Sequence, residues 1–200
     1  MGLTNVAASD KELVRRCQTD HAAFEELLRR YKRAIFAYAM ASTGSRPDAE
    51  EVTQDVFVKV YRAAHRFNSR YRFTTWLYTI AANTCKNKLR SRGRRKNLSL
   101  DREDAPVIPV SHEASPLDAY RKNLEIGQVR NAINELPPRY REVLFLRYVE
   151  GLSYKQIAEV LGLSLGNVEA RIFRGKDKIR RKLLIESGTK AKGWDAGPGE

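Results

Sequence analysis

The chain has 200 residues, 42% of them hydrophobic, and a formal net charge of +13. This length allows one domain or two small ones, with enough apolar residues for compact cores. No apolar run approaches the roughly 20 residues of a transmembrane helix, and the N-terminus lacks the apolar segment of a signal peptide, so membrane insertion is excluded and we expect a cytoplasmic protein.

The strong positive charge indicates a polyanionic partner. Nucleic acid and an anionic membrane surface both meet that description, and charge alone does not choose between them. The positions of the basic residues along the chain therefore carry more information than their total.

Motifs for metal binding and catalysis are absent from the sequence. Cys17 and Cys85 stand alone within helical patterns, without a CxxC or Cys/His cluster. We predict that both are small core residues and that the protein binds no metal or other cofactor. The chain also lacks GxxxxGKS/T, HExxH and GxSxG motifs, and its three histidines are isolated. These observations argue against an enzyme.

Two amphipathic helices are predicted in the first third of the chain. Asp20 is placed to cap the first, and the segment 42–48 ends it. Asp48 is the predicted cap of the second, with Glu51 as its capping-box partner. The apolar stripe of the first helix consists of Phe24, Leu27, Leu28, Tyr31, Ile35 and Tyr38. That of the second consists of Val52, Val56 and Val60.

The stretch TWLYTIAANTCKNKLRSRGRRK, residues 75–96, follows a loop predicted at 65–72 and changes character along its length. It begins as an apolar helix containing Trp76, for which we predict either a core position or stacking on a base. Asn83 and Asn87 lie one helical turn apart and share a face, where their amides suit the edges of bases.

The charge changes sign after this helix. Between Lys86 and Lys96 there are seven basic residues and no acidic one, so this run is either solvated or bound to an anion. Residues 97–118 contain three prolines and five acidic residues against one basic residue. This composition predicts a flexible linker, which is either a solvated spacer or a segment that lies along a positively charged surface.

Helical patterns resume after the linker, and residues 152–183 have the pattern of a helix-turn-helix. Ser153 and Gln156 form a capping-box pair, Gly162 ends a short helix, and Ser164 caps the helix that follows. A helix-turn-helix presents its second helix to the DNA major groove, whereas an ordinary helical hairpin has only a solvated basic face. Because strand patterns are absent, we predict an all-α protein with two small helical domains joined by a flexible acidic linker.

Taken together, these segments resemble the extracytoplasmic-function group of the sigma-70 family of RNA polymerase sigma factors. The resemblance covers about residues 10–186 and rests on the order and content of the segments 48–63, 73–95 and 136–176. It implies a disordered N-terminus (1–9), sigma region 2 (10–95), a linker (96–118), sigma region 4 (119–186) and a disordered tail (187–200).

The resemblance also implies three binding sites. The residues expected to contact core polymerase are Asp48, Glu51, Gln54, Asp55 and Lys59. Those expected to bind the minus-10 element are Phe67, Tyr71, Trp76, Asn83, Lys86, Asn87 and Arg90. Those expected to bind the minus-35 element are Asn167, Glu169, Ala170, Arg171, Phe173 and Arg174. The acids at the start of helix 48–63 are equally explained by a favourable interaction with the helix dipole.

Two features depart from the family pattern. The resemblance implies that the 65–72 loop shapes a pocket for a base flipped out of the duplex. Arg70 and Arg72 stand in this loop where small or acidic residues are expected, which leaves the identity of that base open. Glu169 and Ala170 occupy positions where basic and hydroxyl residues are frequent, so the minus-35 sequence is expected to differ from the commonest one.

The function implied by the resemblance is that of a dissociable initiation factor. It binds core RNA polymerase through the β′ coiled coil and the β flap, reads the minus-10 element as a melted strand and the minus-35 element as duplex, and catalyses nothing itself. An anti-sigma factor is a further implied partner. The alternative is a stand-alone helix-turn-helix regulator with an N-terminal sensing or dimerisation domain.

Overall fold

The computed structural model describes residues 8–96, 129 and 131–186, and the predictions for the linker and the C-terminal tail lie outside this part of the chain. The described residues are largely helical and contain no strand, which confirms the predicted fold class. A 3-10 turn at Ala64–Arg66 opens the predicted loop, and residues 131–134 are helical. The helices are α1 (Asp10–Arg16), α2 (His21–Thr43), α3 (Arg46–Ala63), α4 (Phe73–Lys96), α5 (Pro138–Tyr148), α6 (Tyr154–Leu161) and α7 (Leu165–Glu186).

Short-range capping interactions set the ends of α2 and α3. Asp20 caps α2 as predicted, since its carboxylate accepts hydrogen bonds from the backbone N–H groups of Ala22 and Ala23. Gly44 ends α2 in the left-handed region, at φ 68°, which glycine adopts without a steric penalty.

The predicted N-cap of α3 was wrong. Ser45, not Asp48, caps the helix, because the Ser45 hydroxyl accepts from the backbone N–H of Asp48 at 3.4 Å. Pro47 lies in the first turn, where its missing N–H leaves no helical hydrogen bond unmade. The helix therefore begins before the acidic residues that sequence analysis placed at its start.

The first unit, α1 to α4, has its core where these helices face one another. The apolar stripes predicted for α2 and α3 supply Leu27, Ile35 and Val52, all fully buried, and α4 adds Leu77. Burying an aliphatic side chain of this size contributes about 1.5–3 kcal/mol relative to leaving it exposed. Cys17 and Cys85 are buried free thiols, which confirms their predicted core positions.

The second unit, α5 to α7, contains the predicted helix-turn-helix. Ser153 and Gln156 form the complete capping box of α6, and Gly162 ends this helix in the left-handed region. The Ser164 hydroxyl accepts from the backbone N–H of Asn167 at the start of α7. Gly175 lets α7 approach α5 closely, because a Cβ at this position would lie 3.0 Å from the Leu144 side chain.

The two units pack against each other. Helix α5 lies on α2, and α6 lies on α4, so their buried residues form one continuous core. The rings of Tyr38 and Phe145 meet edge to face across this contact, with their centroids 5.8 Å apart. Arg141 approaches Gly44 so closely that a Cβ there would lie 3.0 Å from its guanidinium. The sequence patterns contained no indication of this contact.

Candidate nucleic-acid interface

Helix α4 has two different faces. Leu77, Tyr78, Ala81 and Cys85 point into the core, and each is no more than 1% exposed. The opposite face is exposed and carries four of the residues predicted to bind the minus-10 element. These are Asn83, Lys86, Asn87 and Arg90. Their spacing of three, one and three residues places them along one stripe of the helix.

An aromatic cluster lies at the start of α4. Trp76 is half-buried, and its ring centroid lies 5.2 Å from that of Phe67 and 5.9 Å from that of Phe73. The structure thus gives Trp76 a packing role while leaving part of its surface accessible. Tyr71, in the preceding loop, is 55% exposed and is the more accessible aromatic ring.

The basic residues of α4 lie in two different environments, the exposed stripe and the contact with α3. Lys88 and Arg92 point toward α3 rather than along the exposed stripe. The Lys88 ammonium pairs with the carboxylate of Glu51 and lies 3.6 Å from that of Asp48. The Arg92 guanidinium lies 3.1 Å from the Asp48 carboxylate. Asp48 and Glu51, two of the residues predicted to contact polymerase, therefore already form ion pairs with basic residues of this same chain.

The remaining residues predicted to contact polymerase differ in their surroundings. Gln54 and Asp55 are exposed on α3, and the Lys59 ammonium donates to the Thr84 hydroxyl at 3.0 Å. Gln54 also lines a groove of about 740 Å³ between α2 and α3. The cationic side chains around this groove are Arg29, Lys32, Arg33 and Arg46.

Helix α7 presents most of the residues predicted to bind the minus-35 element. Asn167, Glu169 and Arg174 are exposed, Ala170 is half-buried, and Phe173 is 74% exposed. The opposite face buries Val168 and Ile172. A phenylalanine this exposed buries little apolar surface and therefore contributes little to folding stability.

Arg171 differs from the other predicted minus-35 residues. Its Nη1 donates to the Glu142 carboxylate of α5 and its Nε donates to the Asn167 side-chain carbonyl, both at 3.2 Å. Burial raises the pKa of Glu142 to about 7, while the positive charges of Arg171 and Lys86 oppose this shift. Sequence analysis missed Glu142, because nothing in its neighbourhood along the chain distinguishes it from a surface glutamate.

The described ranges contain neither a group of metal ligands nor a helix that could span a membrane. Within them, no three His, Cys, Asp or Glu side chains come together in a group that could hold a metal ion. None of the helices there combines the length and apolar content that crossing a bilayer requires.

Family models match both halves of the chain. The model described as Sigma-70 region 2 matches residues 27–95, and that described as Sigma-70, region 4 matches residues 126–179. Two relatives match over nearly their whole length. The RNA polymerase sigma-H factor of Pseudomonas aeruginosa is 36% identical, over 87% of this chain and 93% of its own. The ECF RNA polymerase sigma-E factor of Haemophilus influenzae is 35% identical, over 88% of this chain and 95% of its own.

Solved structures share the fold. The sigma factor RpoE of Bartonella quintana, in complex with the anti-sigma factor NepR, aligns with a TM-score of 0.66 at 24% identity, covering 82% of this chain and 98% of that one. CnrH, in complex with the cytosolic domain of CnrY, aligns with a TM-score of 0.61 at 25% identity, covering 90% of this chain and 99% of that one.

Proposed function

We propose, from the premise that this chain belongs to the extracytoplasmic-function group of the sigma-70 family of RNA polymerase sigma factors, that α4 reads the minus-10 element as a melted strand and α7 reads the minus-35 element as duplex. The protein is a sigma factor of transcription initiation. The observation that carries the proposal is the presence of two separate exposed reading surfaces, one on each unit.

The exposed stripe of α4 supports reading of the minus-10 strand. Asn83 and Asn87 offer amide donors and acceptors that match base edges, and Lys86 and Arg90 flank them with charges for the phosphates. Tyr71 supplies an exposed ring at the start of the helix. Stacking of an unpaired base on an aromatic ring is worth about 1–3 kcal/mol, which helps to offset the cost of extruding the base from the duplex.

The exposed edge of α7 supports reading of the minus-35 duplex. Phe173 and Arg174 project outward, and a guanidinium is suited to the paired acceptors of guanine in the major groove. Phe173 is suited to the methyl group of thymine. Arg171 is held by Glu142, so we assign base reading chiefly to Arg174 and Phe173.

The exposed part of α3 and the adjoining groove form the proposed surface for core polymerase. Gln54 and Asp55 lie on α3, and the groove beside Gln54 combines basic side chains with the apolar Leu28 and Phe36. We further propose that the domains extend over residues 10–95 and 119–186, that the protein acts in the cytoplasm without forming covalent bonds itself, and that an anti-sigma factor holds it inactive. The sigma factor RpoE of Bartonella quintana, which shares this fold, was solved in complex with the anti-sigma factor NepR, and this supports the last point.

The packed arrangement of the two units bears on this function. The two promoter elements lie about 25 base pairs apart, or about 85 Å along B-DNA. Helix α6, next to the reading helix α7, lies directly on α4, and a helix is only about 10–12 Å in diameter. One molecule in this arrangement therefore cannot contact both elements, and the units must separate on the polymerase. The proposed linker, residues 96–118, has a maximal reach of about 80 Å, which permits a separation of this order.

The test is transcription by purified core polymerase on genomic DNA, with and without the protein, followed by sequencing of transcript starts. We expect new starts that share two upstream elements at a fixed spacing, and co-purification of the protein with core polymerase. A stand-alone regulator would instead bind a duplex without polymerase and create no new starts. That result would refute the proposal.

A further inference from the structure

The hydrogen bonds of Arg171 determine how its neighbour Asn167 can recognise DNA. Both residues lie on α7, one helical turn apart, and Asn167 belongs to the exposed surface of this helix. The Arg171 Nε donates to Oδ1, the side-chain oxygen of Asn167, at 3.2 Å. Its Nη1 donates to the Glu142 carboxylate of α5, also at 3.2 Å. One guanidinium thus connects a half-buried acid to an exposed amide.

The chemistry of arginine fixes which end of the Asn167 amide faces it. A guanidinium has N–H donors and no acceptor, so the group of Asn167 that binds it is the carbonyl oxygen. The guanidinium is also planar and rigid, and its contact with Glu142 therefore sets the direction of the Nε–H bond. The NH2 group of Asn167, at the other end of the amide, consequently faces away from Arg171.

This arrangement is held from both sides. The side chains of Arg171 and Glu142 are 23% and 20% exposed, so their ion pair is screened less than one on the open surface. The backbone N–H of Asn167 donates to the Ser164 hydroxyl at 3.3 Å, which fixes the first turn of α7. Glu142, Arg171 and Asn167 all belong to the second unit, so separation of the two units removes none of them.

The two ends of an asparagine amide recognise different features of a base. Bidentate recognition of adenine needs both, because Oδ1 accepts from adenine N6 while Nδ2 donates to N7. In this structure Oδ1 is already bound to Arg171. The NH2 group by itself suits the major-groove edge of guanine, where N7 and O6 are both acceptors. Opposite adenine it would meet the N6 amino group, and two donors do not form a hydrogen bond.

We propose that Glu142 and Arg171 are positioning residues that present Asn167 as a hydrogen-bond donor, and that Asn167 thereby selects guanine over adenine at one base pair of the minus-35 element. This inference rests on the proposed function, which assigns α7 to that element, and adds the base that one residue selects. It also gives Arg171 a role in sequence recognition that requires no base contact of its own.

The experiment measures base preference at single positions. Core polymerase with the full-length protein transcribes a promoter library in which the minus-35 element is randomised, and the templates that yield transcripts are sequenced. Asn167→Ala identifies the base pair that Asn167 reads, as the position where the preference is lost. There we expect the unaltered protein to favour G·C over A·T by about two- to tenfold, the range for one hydrogen bond.

Two results of this first comparison would overturn the proposal. One is a preference for A·T over G·C at the position that Asn167→Ala identifies. The other is a loss of transcription in Asn167→Ala that is uniform over all sequences, as expected for a contact with phosphate. Absence of transcripts with the unaltered protein is a separate outcome, which would refute the proposed function and this inference with it.

A double substitution tests the positioning role. Glu142→Gln combined with Arg171→Met removes the guanidinium together with the charge that would otherwise be left without a partner. With Oδ1 free, Asn167 can bind adenine through both ends of its amide. We therefore expect its base pair to shift toward A·T by about fivefold or more, the lower end of the effect of a bidentate contact. Preferences at the other positions stay unchanged, which a general folding defect would not produce.

The matched control removes a different ion pair of the same helix. Asp177→Asn combined with Arg180→Met eliminates a 2.9 Å pair that does not involve Asn167, and this variant is expected to keep the preference for G·C. Thermal midpoints of all variants are compared with that of the unaltered chain. An unchanged preference at the Asn167 base pair in the folded Glu142→Gln, Arg171→Met protein would overturn the positioning role.

Asn167→Lys keeps the proposal testable if the double variant does not fold, because it changes only an exposed side chain. Lysine has donors and no acceptor, so it reproduces the proposed chemistry of Asn167 without help from Arg171. We expect Asn167→Lys to retain the preference for G·C at the same base pair. A change of the preferred base pair in this variant would show that Asn167 also uses its acceptor, and would overturn the proposal.

Discussion

The two reading helices, α4 and α7, hold their basic residues in different ways. In α4, Lys88 and Arg92 are paired with acids of α3, and asparagines occupy the exposed stripe. In α7, one arginine is held by Glu142 and another projects into solvent beside an exposed phenylalanine. The comparison teaches that basic residues on a DNA-binding helix are not equivalent. Some fix the helix in place, and others remain available to the nucleic acid.

The largest expected effect is a loss of folding stability when the contact between the units is disrupted. A substitution on an exposed surface serves as the comparison. Phe145 is buried against Tyr38, whereas Phe173 is 74% exposed. We expect Phe145→Ala to lower the free energy of unfolding by about 3–5 kcal/mol, because it leaves a cavity in the shared core. Phe173→Ala is expected to leave stability unchanged and to weaken minus-35 binding. Urea denaturation of both variants checks this, and equal losses of stability would contradict the packing of the two units.

The second prediction compares the two arginines of α7. Arg174→Ala is expected to cost about 1–3 kcal/mol in binding to the minus-35 duplex if it contacts a base edge. Arg171→Ala is expected to lower thermal stability as well, since it leaves the Glu142 carboxylate without its ion-pair partner. Promoter binding by the reconstituted holoenzyme and the thermal midpoint are measured for each variant. Loss of minus-35 recognition in Arg171→Ala alone, with unchanged stability, would reverse the two assignments.

The third prediction concerns pH and the contact between the units. Burial raises the pKa of Glu142 from its ordinary value of 4.5 to about 7 in the folded chain, against the opposing charges of Arg171 and Lys86. The folded state therefore binds this proton more tightly than the unfolded state does. The resulting stabilisation is complete below about pH 4.5 and is lost progressively as the pH rises through 7.

Glu142→Gln tests this pH dependence, because the amide cannot ionise. We expect urea denaturation of this variant to show a flatter dependence on pH between 5 and 7 than that of the unaltered chain. Glu159→Gln, at an exposed position on α6, is the control and is expected to keep the original profile. Identical profiles for all three proteins would show that Glu142 is not desolvated in solution.

The smallest expected effect concerns the exposed stripe of α4. Asn83→Ala is expected to weaken promoter opening by about 1 kcal/mol, the typical net value of one hydrogen bond, while leaving core binding unchanged. Permanganate reactivity of thymines in the minus-10 region measures opening, and co-purification measures core binding. Equal losses in both would indicate a folding defect rather than a lost base contact.

Sequence analysis was most successful where the controlling interactions are local. The capping box of Ser153 and Gln156, the left-handed Gly162 and the cap at Asp20 were all predicted and are all confirmed. The cap of α3 was predicted incorrectly, because Pro47 and Ser45 allow an earlier start than the acidic residues suggest. The exposure of Asn83 and Asn87 also followed from helical spacing, since the apolar residues of α4 fix which face is buried.

The sequence by itself determined the helices, their caps apart from that of α3, the two units and the exposed faces of α4 and α7, because each depends on residues within a few positions of one another. Only the tertiary structure decided which charges are paired and how the units meet. Asp48 and Arg92 are 44 positions apart, and Glu142 and Arg171 are 29 apart. Partners so distant along the chain come together through packing of whole helices, and no local pattern specifies that geometry.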